Sequence, residues 1–144
     1  MTDLTLEQVQ ALVTRAPFHQ WLGLTVLAVG DDSVEIRAKW REEWVVSVER
    51  RFTHGGILAA LIDLAADWAM VKQTGRGVPT IDMRVDYHRA AMPGSLIARA
   101  AVIKIGGTLA TAEARIFDEC DELIASGRAL FFTRAPSEKK ESGA

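Results

Sequence analysis

From Gly56 to Val71 the chain reads GILAALIDLAADWAMV, almost uniformly apolar, rich in Ala and Leu, with no Pro and no internal Gly. Helix propensity is high over such a run, and no face of it is polar enough to sit in water. The run predicts a helix buried on all sides, ended by Gly75 and Gly77. It falls short of the ~18 apolar residues needed to cross a bilayer. The rest of the chain must therefore supply the layer that covers this helix.

The flanking segments read mostly as strands. Thr5-Leu-Glu-Gln8 has capping-box spacing and is followed by the stripe Leu6, Val9, Leu12 and Val13, which predicts a first helix. Pro17 stops that helix or begins a short second one. Residues 21–30 are apolar and β-branched, Asp31 and Asp32 mark a turn, and Val34, Ile36, Ala38 and Trp40 alternate with charged neighbours. That pattern is a two-stranded hairpin. Residues 41–53 read as an irregular connection with room for a short strand at Val45–Val48. After Pro79, Ile81, Met83, Val85 and Tyr87 alternate with Asp82, Arg84, Asp86 and His88, as in a half-exposed strand. Turn signals at Pro93-Gly94, Gly106-Gly107 and Asp118–Glu122 then separate strands over 95–105, 108–117 and 123–134.

This order predicts an α+β fold: a curved antiparallel sheet of about six strands wrapped around one long helix. Residues 1–134 form a single domain with a helical segment over 1–20, and the polar tail 135–144 is expected to be disordered. One sheet covers only one side of the buried helix. A homodimer is therefore expected at minimum.

Composition narrows the function classes. The 144 residues are 49% hydrophobic and 25% charged, ordinary globular usage. Lys+Arg 17 against Asp+Glu 19 leaves a net charge of −2, with no basic field for nucleic acid or anionic lipid. Cys120 is alone and cannot form an internal disulfide, and the N-terminus lacks the pattern of a signal peptide. A soluble cytoplasmic protein is expected, with no membrane or nucleic-acid partner. His19, His54 and His88 lack metal-ligand spacing, so no metal is expected. No Gly-x-Ser-x-Gly elbow occurs, and Cys120 sits in an acidic turn, a poor setting for a reactive thiolate.

Chemistry concentrates at the start and middle of the apolar helix. Thr53-His54-Gly55-Gly56 precedes it, where unpaired N–H groups and the helix dipole favour negative charge. Two readings stand there: a structural cap, and a site for an anion or a carbonyl oxygen. Asp63 lies within the apolar run, so its carboxylate must be paired, protonated or facing a cleft. Asp67 follows one turn later and reads as a backbone cap or an arginine partner. Gly55 and Asp63 are eight residues apart, roughly 12 Å along a helix, too far to act on one carbonyl within one chain. Across a two-fold axis they can face each other.

HGGILAALIDLAADWA resembles the helix signature of the hotdog-fold acyl-CoA thioesterases of the PaaI type, with Asp at the ninth residue after His. PTIDMRVDYHRA resembles that family's next strand, and AVIKIGGTLATAEARIFD and LIASGRALFFT resemble its last hairpin arms; the likeness covers roughly residues 18–134. The resemblance implies a thioester hydrolase at a dimer interface, in a homodimer or a dimer of dimers. Gly55, flanked by His54 and Gly56, would donate its N–H to the thioester carbonyl, and Asp63 of the other subunit would act as base or nucleophile. Thr80 matches a position where the family places a hydroxyl that helps to hold the water. Arg89, Lys104 and Arg128 match regions that meet the nucleotide end of coenzyme A, which is part of the substrate and not a separate cofactor. The family often carries an Asn shortly before His-Gly-Gly, but residues 48–53 read VERRFT and the chain has no Asn; Glu49, Arg50 or Gln20 are the substitutes at hand. A non-catalytic acyl-CoA-binding hotdog protein is the competing class.

Overall fold

The computed structural model describes residues 1–135, so the tail expected to be disordered lies, Ala135 apart, outside the described residues. It contains helices α1 (Leu6–Val13), α2 (Pro17–Trp21), α3 (Gly55–Trp68) and α4 (Val71–Thr74). The strands are β1 (Leu24–Val29), β2 (Ser33–Ala38), β3 (Thr80–Tyr87), β4 (Leu96–Ile105), β5 (Leu109–Phe117) and β6 (Leu123–Phe132). They form one six-stranded sheet in the order β1-β2-β4-β5-β6-β3, antiparallel throughout. α3 packs across one face, against β2 to β6, and α1 packs beside β1.

Period-two alternation explains which face α3 takes. On β4 and β5, Leu96, Ala98, Ala100, Ala110, Ala112, Ala114 and Ile116 are buried. Their neighbours Arg99, Glu113 and Arg115 point to the outer face. Small residues let the helix sit close. At Gly127 on β6 a Cβ would lie 2.5 Å from the Arg84 carbonyl oxygen and 2.9 Å from Ile62 Cγ2.

The N-terminal helix begins at the expected cap. Thr5 Oγ1 accepts the Gln8 N–H at 3.2 Å while Gln8 Oε1 accepts the Thr5 N–H at 2.9 Å, a complete capping box. Pro17 opens α2, so the strand expected from residue 21 begins only at Leu24. No strand forms at Val45–Val48. Trp44 is buried at the end of a 3₁₀ turn over Glu42–Trp44, and the chain beyond it makes one isolated bridge, Val45 to Thr53.

The long helix is also shorter than its apolar run. Met70, at φ −100° and ψ 12°, interrupts it, and the Met70 carbonyl accepts the Gln73 and Thr74 amides to restart the chain as α4. Gly75, at φ +70°, caps α4, where a left-handed residue is required; Gly77 lies beyond any helix. In the single chain α3 is not buried all round: Ile57, Ala59, Ala60 and Asp63 keep partial exposure along one stripe. β3 occupies an edge of the sheet, and its Ile81 is 52% exposed.

Candidate active site

The start of α3 is fixed from both sides. The Thr53 N–H donates to the Ala91 carbonyl at 2.8 Å and the His54 N–H to the Trp44 carbonyl at 2.7 Å. His54 is the N-cap residue, and its Nδ1 accepts the Gly56 N–H at 2.7 Å, so that nitrogen carries no proton in this geometry. The two glycines thus part company: the Gly56 amide is used by the cap. The Gly55 N–H finds no acceptor among the described residues and stands at the positive end of the helix. Its surroundings are tight. A Cβ on Gly55 would lie 3.2 Å from the Tyr87 ring, whose hydroxyl donates to the Gly55 carbonyl at 3.0 Å.

Two turns along α3, Asp63 Oδ1 accepts the Thr80 hydroxyl at 2.6 Å. Asp63 is partly exposed, which resolves the problem of a carboxylate inside an apolar helix: it faces outward beside β3. Asp67, one turn later, is also only part-buried, but its carboxylate is turned against the backbone before β3. Its Oδ1 accepts the Val78 N–H at 2.9 Å, so it caps backbone as the sequence suggests. Burial pushes its pKa from 3.8 up to about 7; the Val78 hydrogen bond opposes that shift, the Asp63 charge adds to it, and Arg76 opposes it.

β3 therefore runs along α3 as a second rail, with Thr80 at Asp63 and Tyr87 at Gly55. Sequence pattern alone does not single out Tyr87. Its one signal is that it is the sole tyrosine of the chain, at the end of the alternating stretch.

The thioesterase superfamily profile matches residues 51–125, from just before His54 into β6. The chain belongs to the thioesterase superfamily. An X-ray structure of another member superposes with a TM-score of 0.87 at 51% identity, covering 90% of this chain and 98% of that one. The medium/long-chain acyl-CoA thioesterase YigI of Escherichia coli (strain K12) is 26% identical over 148 residues, covering 89% of this chain and 96% of YigI. The phenylacetic acid degradation protein PaaI of Thermus thermophilus, solved as a mutant, superposes with a TM-score of 0.73 at 26% identity, covering 83% of this chain and 100% of that one. The hotdog fold and the thioesterase family expected from the helix signature are those of this chain, and thioester hydrolysis is the general activity they support.

The remaining candidates of this thioesterase chain do not converge on Asp63. Arg128 alternates on β6 with Gly127 and Ala129, which face α3, so it points to the outer face. There it lines a hollow with Arg84, Asp86, Glu113 and Arg115. Lys104 pairs across the ladder with Thr111, which alternates with the buried Ala110 and Ala112, and so shares that outer face. Arg89 lies just beyond β3 and pairs with Glu122 at 3.3 Å. Of the substitutes for the missing Asn, Gln20 donates its amide to the Thr14 carbonyl at 2.9 Å, while Glu49 and Arg50 are exposed. Trp44 and Trp68 belong to the core, and Trp40 packs edge-on against Trp44 with ring centroids 5.8 Å apart. Among the described residues no group of three or more His, Cys, Asp or Glu could hold a metal, and no helix is long and apolar enough to cross a membrane.

Proposed function

We propose that the chain hydrolyses acyl-CoA thioesters at sites shared between two protomers, with Gly55 of one protomer facing Asp63 and Thr80 of the other. The observation that carries this reading is the Thr80–Asp63 hydrogen bond at 2.6 Å. The hydroxyl occupies one carboxylate oxygen and orients the group, leaving Oδ2 to accept a proton from water. The Gly55 N–H, unclaimed among the described residues, polarises the thioester carbonyl and stabilises the oxyanion that forms on attack. Water adds its oxygen to the carbonyl carbon as its proton passes to Asp63. The C–S bond then breaks, and that proton returns to the departing sulfur of coenzyme A, giving a carboxylic acid and a free thiol.

The partly exposed stripe of α3 and the unpaired edge of β3 support a second copy as the missing cover. Arg89, Lys104 and Arg128 are exposed cations suited to the phosphates of coenzyme A; Arg89 would exchange Glu122 for phosphate.

The test is a hydrolysis screen over acyl-CoAs of varied chain length and aromaticity, with Asp63→Asn beside the wild type. Turnover of at least one thioester is expected, with kcat for Asp63→Asn lower by ~10²–10⁴-fold and KM little changed. Binding without turnover across the panel would favour a non-catalytic acyl-CoA-binding protein. A variant within threefold of wild type would remove Asp63 as the base.

A further inference from the structure

Two carboxylates of α3 hold the same short stretch of chain. Asp67 Oδ1 accepts the Val78 N–H at 2.9 Å, and Asp63 Oδ1 accepts the Thr80 hydroxyl at 2.6 Å. Between those contacts Pro79 fixes φ and has no N–H of its own. A Cβ on Gly77 would lie 3.3 Å from Asp67 Oδ2, so the chain skirts that carboxylate closely before it reaches Val78. The Pro79 carbonyl accepts the Phe132 N–H at 2.9 Å, which sets where the lead-in to β3 meets β6. How closely the lead-in approaches α3 is set by the bond from Val78 to Asp67. Packing alone does not account for a carboxylate here, because burying a charge costs stability and the shifted titration of Asp67 reflects that cost.

We infer that Asp67 is a positioning residue of the hydrolytic site: by holding the Val78 amide it seats the Thr80 hydroxyl against Asp63. This rests on the reading of Asp63 as the base. Asp67 makes no hydrogen bond to Thr80 and acts on it through Val78 and the one residue between the two contacts, Pro79. Small misplacements of groups that orient a base reduce turnover more than binding.

Steady-state kinetics of purified full-length Asp67→Ala and Asp67→Asn, on the acyl-CoA that the wild type hydrolyses best, separate this role from a merely structural one. Asn keeps an acceptor oxygen for Val78 and Ala does not. Asp67→Ala should lower kcat roughly tenfold with KM within about twofold. Asp67→Asn should restore kcat to within about threefold of wild type. In a Thr80→Val background Asp67→Ala should cost nothing further, because its effect passes through the hydroxyl. If Asp67→Ala does not fold, Asp67→Leu fills the same space without an acceptor and is judged by the same values. Unchanged kcat without the acceptor, an Asn variant as slow as the Ala variant, or additive losses with Thr80→Val would overturn the inference. Failure of the wild type to hydrolyse any thioester would instead overturn the hydrolase reading, and a fully active Asp63→Asn the reading of Asp63 as the base; either would take this inference with it.

Discussion

The Tyr87 hydroxyl donates to the Gly55 carbonyl at 3.0 Å, tying the last residue of β3 to the first residue of α3. The same tyrosine ring sits where a Gly55 side chain would have to go. The bond falls on the peptide that follows Gly55, whose N–H is bound by His54, so the pair fixes Gly55 from the side opposite its own N–H, and does so with a residue that is 56% exposed.

Tyr87→Phe keeps the ring and deletes only the hydrogen bond. A neutral hydrogen bond contributes about 0.5–1.5 kcal/mol, so kcat/KM for the best thioester should fall by about two- to tenfold, with the fold intact by circular dichroism. An unchanged kcat/KM would mean that the helix start holds itself without Tyr87.

Gly127→Ala tests how closely α3 must approach the sheet. Its methyl would meet the Arg84 carbonyl oxygen at 2.5 Å and Ile62 Cγ2 at 2.9 Å, and the first of these is backbone. Overpacking of this kind costs about 1–3 kcal/mol, which urea denaturation should report as a lower midpoint at unchanged slope.

Much of this architecture was legible because strand alternation and helix propensity are local properties. The capping box at Thr5, the start of α2 at Pro17 and the strands after Pro79 all follow from neighbouring residues. The order of strands does not. β3 precedes β4 in the chain yet pairs only with β6, a choice made by packing over α3 and not by any pattern within residues 80–87. The break at Met70 is similarly tertiary: apolar residues continue through it, and the buried Met70 and Val71 turn inward against the core. At the site, His54, Gly55, Asp63 and Thr80 could be read from type and spacing, since a helix start and a carboxylate within an apolar run are visible in sequence. The division of labour between the Gly55 and Gly56 amides depends on the rotamer of His54, which no spacing encodes.

Asp67 makes stability depend on pH. Its folded pKa of about 7 lies above its ordinary 3.8, so between those values the native state holds a proton that the unfolded state releases. The contribution is fully present below about pH 4 and is lost as pH rises through about 7. Asp63 and Arg76 are the charged neighbours acting on it, in opposite senses. Asp67→Asn removes the titration and keeps an acceptor for Val78. Thermal melts should show the variant gaining on wild type by roughly 2–4 kcal/mol at pH 8, with the gap closing towards pH 4. A gap independent of pH would mean that Asp67 does not carry the shift.

Shared sites predict complementation between inactive parents. Asp63→Ala removes the base. Gly55→Pro removes the donor N–H at a helix position whose backbone suits proline, since His54, at φ −56° and ψ 132°, already has the conformation a residue before proline requires; the Tyr87 ring must move aside for the new side chain, so the parent is first shown to fold by circular dichroism. In a mixed dimer one site carries both defects and the other carries none. With free exchange at equal amounts, about a quarter of wild-type activity should return. Parental activity after exchange is demonstrated by a tag would place each site within one chain.

The pairing of β3 with β6 has a consequence for the order in which the molecule becomes complete. A chain growing from its N-terminus holds Gly55, Asp63, Thr80 and Tyr87 early, and β2, β4 and β5 can zip together as they appear. β3 has no strand to pair with until residues 123–132 arrive. Contacts this distant in sequence form late, after the loops between them have closed. Until then the nascent protein carries a bare strand with Thr80 and Tyr87 on it, an opening for wrong pairing or for a chaperone. The last strand to be made is the one that brings Thr80 to Asp63.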